Sequence, residues 1–240
     1  MVNERFIREE MLLGEAAIKR LAEAHVAVFG IGGVGSFAAE ALVRAGVGRL
    51  TFVDNDVVSI SNINRQLIAM SSTVGRKKAE VMAERARDIN LDAEVRAIAE
   101  LYSAETRESF FDAQYDFIID AIDLVSCKLD LIESAMARRI PIISAMGTGN
   151  KLDPTKFEIC DISKTYNCPL ARVMRRELKS RGIEHHKVLF SPEEPRSPAA
   201  LETPPPGRRS IPGSTSWVPS CAGLMLAGEV IKTLAENKQK

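Results

Sequence analysis

Four glycines within six residues, Gly30-x-Gly32-Gly33-x-Gly35, are the densest chemical signal in this chain. Lacking Cβ atoms, such a backbone can bring its N–H groups close to a phosphate, and a helix starting there adds aligned donors and partial positive charge. Asp54 follows about 20 residues on, where a carboxylate can take a ribose hydroxyl. A long polar segment then carries Asp56, Asn62, Asn64, Arg65 and Gln66. Arginine offers a planar fork of donors to phosphate oxygens, and the amides suit phosphate or ribose; the same composition also suits an ordinary hydrogen-bonded loop. Lys78 lies in the first turn of a helical pattern, close to where a phosphate would sit, although a solvated lysine reads the same way. Asp120 and Asp123 end an apolar run and are hard oxygen ligands suited to Mg²⁺ on a triphosphate. Asp123 equally suits the N-cap of the helix predicted over 124–138.

These groups need elements to hold them. Val26 to Phe29 is a short apolar run of buried-strand type, and Ser36 to Ala45 has helical spacing. Leu50 to Val53 reads as a second strand ending at Asp54, 73–90 as a helix with Val81, Met82 and Ile89 facing in, and Glu94 to Ile98 as a strand. A short helix over 105–111, a strand over 115–123 and another over 140–144 complete the alternation of a doubly wound, Rossmann-like, mostly parallel sheet. Phe157 to Ile162 and Lys187 to Phe190 read as strands of an antiparallel C-terminal extension. Glu15 to Ala24 is an amphipathic helix preceded by Arg5 and Arg8, which read as solvated face or as ligands. Cys168 to Arg181 is a helix bearing Arg172, Arg175, Arg176, Lys179 and Arg181, a solvated face or a local RNA phosphate patch. Ser191 to Pro212, with Pro204 to Pro206, reads as a mobile loop and potential lid, extending to about 215. The apolar stretch 216–234 is interrupted by Pro219 and Glu229, which favours a buried core or dimer helix over a membrane span.

The chain has 240 residues, enough for one sizeable α/β domain. Lys+Arg and Asp+Glu are both 32, so no global positive field points to nucleic acid. The N-terminus lacks the apolar core of a signal peptide, and Cys127, Cys160, Cys168 and Cys221 form no CxxC pair. Reduced thiols in a cytoplasmic protein, with no zinc site, are expected.

Several motifs occur in order: Arg5-x-x-Arg8, Gly30 to Ser36, Val53-Asp-x-Asp56, Ser61-Asn-x-Asn-Arg-Gln66, Val74-Gly-x-x-Lys-Ala and Asp120-Ala-Ile-Asp123. They resemble the E1-like adenylating superfamily, which includes ubiquitin-activating, molybdopterin-synthase-activating and thiamine-pathway enzymes. Gly147 to Pro154, Asp161 to Thr165, Pro169 to Arg172 and Val188 to Glu193 are similar to the tRNA threonylcarbamoyladenosine dehydratases, extending the resemblance over nearly the whole chain. It implies one adenylating domain over 1–240, with a nucleotide-binding part to about 150 and a substrate- or tRNA-facing extension over 151–240. It implies ATP-dependent cyclisation of the threonylcarbamoyl group on adenosine-37 of tRNA. Gly30, Gly32, Gly33 and Gly35 would shape the ATP loop, Asp54 would take the ribose, Asn62, Arg65 and Lys78 would contact phosphates, and Asp123 would hold Mg²⁺. Asp56, Asn64, Gln66 and Asp120 complete the expected nucleotide site. Arg8 would reach the γ-phosphate position of the other subunit in a homodimer. The resemblance also admits a sulfur-relay partner of the cysteine desulfurase system. Three rivals are an E1-like activator of a ubiquitin-like sulfur carrier, an NAD-dependent oxidoreductase and a non-catalytic tRNA-binding scaffold, the last disfavoured by the neutral charge. The missing paired CxxC motifs weigh against the first; the polar segment weighs against the second.

Overall fold

The computed structural model describes residues 4–199, 201 and 211–236. Two helices, α1 (Ile7–Leu13) and α2 (Glu15–Glu23), lead into β1 (His25–Phe29), whose five residues are all buried. The chain then runs through α3 (Gly35–Arg44), β2 (Arg49–Val53), α4 (Lys78–Ile89), β3 (Glu94–Ile98) and β4 (Phe117–Asp120). It continues with α5 (Val125–Ala137), β5 (Ile142–Ala145), β6 (Glu158–Asp161), α6 (Pro169–Ser180), β7 (Lys187–Phe190) and α7 (Val218–Glu236). The seven strands form one sheet in the order β3-β2-β1-β4-β5-β7-β6. All pairs are parallel except β6 with β7, so the doubly wound sheet with an antiparallel end is as the sequence predicts.

A separate apolar core lies on each face of the sheet. Val26, Val28, Leu50 and Phe52 meet α3, α4 and α7 on one side. Ala27, Phe29, Ile118 and Phe190 meet α5 and α6 on the other. β1 and β4, central in the sheet, are therefore buried on both faces, which is why their sequences are continuous apolar runs rather than alternating ones.

Tertiary pairing shifts some boundaries. The helix predicted from 73 starts only at Lys78. Ser71–Thr73 is a 3₁₀ turn, Gly75 sits at φ +86, Val58 N–H donates to Arg76 O at 2.8 Å and Val57 pairs antiparallel with Lys77, so the chain turns and bridges here before helix can begin. The predicted helix over 105–111 is a single 3₁₀ turn, Arg107–Phe110. The N-cap of α5 falls on Leu124, not on Asp123, and it has no side-chain acceptor to offer. Pro204 to Pro206 lie outside the described residues. The described flanks of that loop are anchored: Asn150 N–H donates to Gly213 O, Gly213 N–H to Asn150 Oδ1, and Arg196 N–H to Asn150 O. Val218–Glu236 is long and apolar enough to cross a membrane, yet here it packs against α2 and α3, with Ala222, Leu226, Ala227 and Val230 buried in the core.

Candidate active site

At the C-terminal ends of β1, β2, β4 and β5 a cavity of about 850 Å³ opens. Open parallel sheets place ligands there, where the strand order reverses between β1 and β4. Its floor is the turn from β1 into α3. Gly30 takes φ +88 and lies so close to β4 that a Cβ would stand 2.7 Å from Ala121 O. The buried Ser36 hydroxyl donates to Gly32 O at 2.6 Å and accepts Leu67 N–H at 3.2 Å. That hydroxyl thereby staples the glycine turn to the polar segment.

Asp54 is committed to the same turn. One oxygen accepts Ile31 N–H at 2.7 Å and the other accepts Asp56 N–H at 2.9 Å. Burial pushes this carboxyl above its ordinary value, while Lys78 and these two N–H groups pull it back. Lys78 is 5 % exposed, and its Nζ meets Asp56 Oδ2 at 2.7 Å. Its backbone N–H donates to Asp56 O at 3.1 Å, so the pairing that delays α4 also delivers this ammonium to the cavity. Asn62 is buried, its Oδ1 accepting Ser59 N–H at 3.1 Å and holding a 3₁₀ turn shut. The Arg65 guanidinium donates through Nη1 to Ser61 O at 2.8 Å and to Asn64 Oδ1 at 3.0 Å. Gln66 is buried against the cavity, and its Oε1 has no hydrogen-bond partner. A buried acceptor left unpaired is costly unless a ligand satisfies it.

Gly30, Gly32, Gly33, Asp54, Asp56, Asn62, Arg65, Gln66, Lys78 and Asp123 all line the cavity. Four expected residues do not. Gly35 starts α3 and packs against the Gly30 carbonyl. Asn64 spends its amide N–H on Ser214 O at 3.1 Å. Arg8 lies exposed on α1. Asp120 is 0 % exposed and pairs with Lys128, also 0 % exposed, at 2.7 Å. Its other oxygen accepts Ile122 N–H at 3.1 Å, so its work is to shape the turn that presents Asp123.

Residues the site reading passed over include Tyr102, Cys127, Cys168 and the loop 146–151. The Tyr102 hydroxyl donates to Asp130 at 2.8 Å, and Arg107 pairs with the same carboxylate at 2.7 Å, fixing the 3₁₀ turn onto α5. Lys151 is buried and donates to Ser191 O at 3.1 Å and to Glu193 O, while the Glu193 carboxylate accepts Leu152 and Asp153 N–H. The signal present in the sequence was the Gly147-Thr-Gly-Asn150 run, which marks a turn, and there Asn150 takes φ +61.

A glycine-turn cavity at the switch point of an open parallel sheet, lined by Asn62, Arg65 and Lys78, defines an α/β protein of nucleotide-binding type. The family model described as ThiF family matches residues 6–240, and the chain belongs to the ThiF family. It is 44 % identical over 242 residues to the tRNA threonylcarbamoyladenosine dehydratase of Bacillus subtilis, spanning 97 % of this chain and 95 % of that one. It is 42 % identical to the protein of the same name from Escherichia coli, over 74 % of this chain and 66 % of that one. The crystal structure of the E. coli dehydratase in complex with ATP superimposes with a TM-score of 0.87 at 36 % identity, covering 96 % of this chain and 93 % of that one.

Proposed function

We propose that this protein catalyses the ATP-dependent dehydration of threonylcarbamoyladenosine in tRNA to its cyclic hydantoin form. A carboxylate is a poor electrophile because its leaving group would be oxide. Here the threonyl carboxylate oxygen attacks the α-phosphorus of ATP, and the bond to pyrophosphate breaks. A ureido nitrogen of the same group then attacks the acyl carbonyl, loses its proton and expels AMP. The substrate has lost the elements of one water, and no covalent enzyme intermediate is needed. Cys127 and Cys168 are buried and Cys160 and Cys221 half-buried, and the sequence of steps requires no sulfur-relay partner.

The observation that carries this reading is the folding of the 54–78 segment over the glycine turn. It brings Asn62, Arg65, Gln66 and Lys78 into one cavity with Asp54. A hydride-transfer cofactor needs few such donors; a triphosphate losing pyrophosphate needs them where charge develops. In this reading Arg65 and Lys78 neutralise the phosphates, the Asp54 carboxylate orients the turn and takes the ribose, and Gln66 Oε1 accepts from the nucleoside. Asp123 fits as the protein ligand of a Mg²⁺ ion otherwise held by phosphates and water, since no three acidic, His or Cys side chains converge on a metal among the described residues. Bound Mg²⁺ would offset charge on the departing pyrophosphate. Arg8 would act on the neighbouring subunit of a homodimer, and α1 presents Ile7, Met11 and Leu12 outward as an apolar face for it. The whole chain would act as one adenylating domain in the cytoplasm.

The deciding experiment incubates the protein with ATP, Mg²⁺ and tRNA bearing the linear modification, then weighs the released nucleosides. A nucleoside lighter by one water, formed with stoichiometric AMP, is expected. Pyrophosphate exchange only in the presence of a ubiquitin-like sulfur carrier would overturn the reading.

A further inference from the structure

We propose that the outer face of α6, with Lys164 and Tyr166 at its foot, is the surface that holds the tRNA backbone while one nucleotide enters the cavity. The inference rests on the tRNA substrate proposed above and locates its docking face.

Helix α6 buries Ala171, Met174 and Leu178 against the sheet. Pro169 lines the cavity mouth together with Cys168 and Leu170. Pro169, Arg172, Arg176 and Lys179 recur at i, i+3, i+7 and i+10, one helical face that starts at the mouth and leads away from it for about 15 Å. The structure sorts the basic residues. Arg175 turns inward, donating to Thr165 O at 2.6 Å and Thr165 Oγ1 at 2.7 Å. Arg181 is taken by Glu133 at 3.3 Å and Glu177 at 3.4 Å. Arg172, Lys179 and Lys164 remain exposed, with no acidic partner among the described residues. Arg176 is itself exposed and pairs with its half-buried neighbour Glu177, a surface pair of little strength. Glu177 is also the only acid in α6, which carries four cations, whereas the whole chain balances 32 against 32. The positive charge is thus local, and it borders the cavity that Cys168, Pro169 and Leu170 line.

Tyr166 adds a second kind of contact. It is 54 % exposed, braced edge-on against Phe190 at 5.7 Å between ring centroids, and leads through Asn167 directly into α6. Exposed aromatic rings beside cations suit single-stranded RNA, whose unstacked bases lie on the ring while phosphates meet the cations. An acidic protein would meet the same cations, and competition by poly-glutamate separates the two.

The test uses Lys164→Glu, Arg172→Glu and Lys179→Glu, singly and combined, with Tyr166→Ala and, as a control on α2, Lys19→Glu. The combined charge reversal should raise KM for tRNA by about tenfold or more and lower the salt slope of tRNA binding by about one per lost phosphate contact. Affinity for ATP, read by calorimetry, and kcat at saturating tRNA should stay within about twofold, as expected for lost uniform binding. Tyr166→Ala should weaken tRNA binding without changing the salt slope, and Lys19→Glu should change nothing. Unchanged KM and slope in the combined variant overturn the proposal. So does an equal loss of ATP affinity, which would mean general damage, or competition by poly-glutamate that is insensitive to Tyr166→Ala. If the wild-type protein makes no lighter nucleoside, the dehydratase reading fails instead, and filter binding of tRNA to the same variants still decides the surface.

Discussion

Lys78 and Arg65 can be separated experimentally from the residues that merely build the site. Lys78→Met keeps the apolar stem that fills the wall and removes the ammonium, leaving the half-exposed Asp56 to solvent. Arg65→Ala removes a guanidinium that is only partly satisfied by the loop. Each should lower the rate of AMP formation by about 10²–10³, the usual cost of one preorganised charged donor, with the thermal midpoint little changed. Pyrophosphate release at the wild-type rate would remove that residue from its role. His186 gives a pH prediction of a different kind. Its Nε2 meets Ser144 Oγ at 2.8 Å, and burial, then the charge of Lys128, push its imidazole down to about 4 from 6.5. Between those values the unfolded chain binds a proton that the folded one refuses, so stability falls as pH drops from 6.5 towards 4. The loss reaches about 3 kcal/mol at full extent. Urea midpoints at pH 7.5 and pH 5 should show this slope, and His186→Gln should flatten it.

At the scale of elements, the α3–α7 crossing matters most for the site. A Cβ on Gly223 of α7 would lie 2.2 Å from Val34 O and 3.0 Å from Ala38 N. Gly223→Val must therefore push α7 away from α3 and strain the turn that ends the glycine loop. We expect a stability loss of about 1–3 kcal/mol, typical of overpacking, with ATP affinity falling alongside. An intact ATP affinity in a destabilised protein would show that the loop is held from elsewhere. The apolar pattern of 216–234 pointed to a core or dimer helix, but nothing in it said that its partner would be α3, the helix that follows the glycine turn. The late start of α4 has the same origin: pairing of Val57 with Lys77 overrides helical propensity, and the propensity of 73–77 alone pointed the other way.

At the scale of the whole molecule, α1 is left largely uncovered by the described residues, with only Leu13 packed against the core. None of α1's residues is buried, and Met11 and Leu12 are 70 % and 87 % exposed. Such a face suits a second subunit. Sedimentation of the wild-type chain should give a dimer and Leu12→Asp a monomer. If Arg8 serves the neighbouring site, that monomer should bind ATP but lose turnover. A fully active Leu12→Asp monomer would detach Arg8 from catalysis. The balanced overall charge leaves any tRNA affinity to local geometry, which composition cannot report.

The chain alone determined the doubly wound sheet, because buried parallel strands must be continuous apolar runs and glycine turns must sit at their ends. It also determined most of the nucleotide cavity, since Gly30 to Gly33, Asp54, Asn62, Arg65, Gln66 and Lys78 lie near one another along the chain and carry their chemistry in their type. Only the tertiary structure decided which of two equivalent-looking carboxylates lines the cavity. Asp120 and Asp123 are three residues apart, yet one is consumed by Lys128 arriving from α5 and the other is not buried with it. Nor could spacing show that Arg175 turns inward while Arg172 faces out, or that Asn150 clasps both flanks of a distant loop. Those assignments depend on what the fold brings beside each side chain, and pairing across long loops leaves no periodic trace in the sequence.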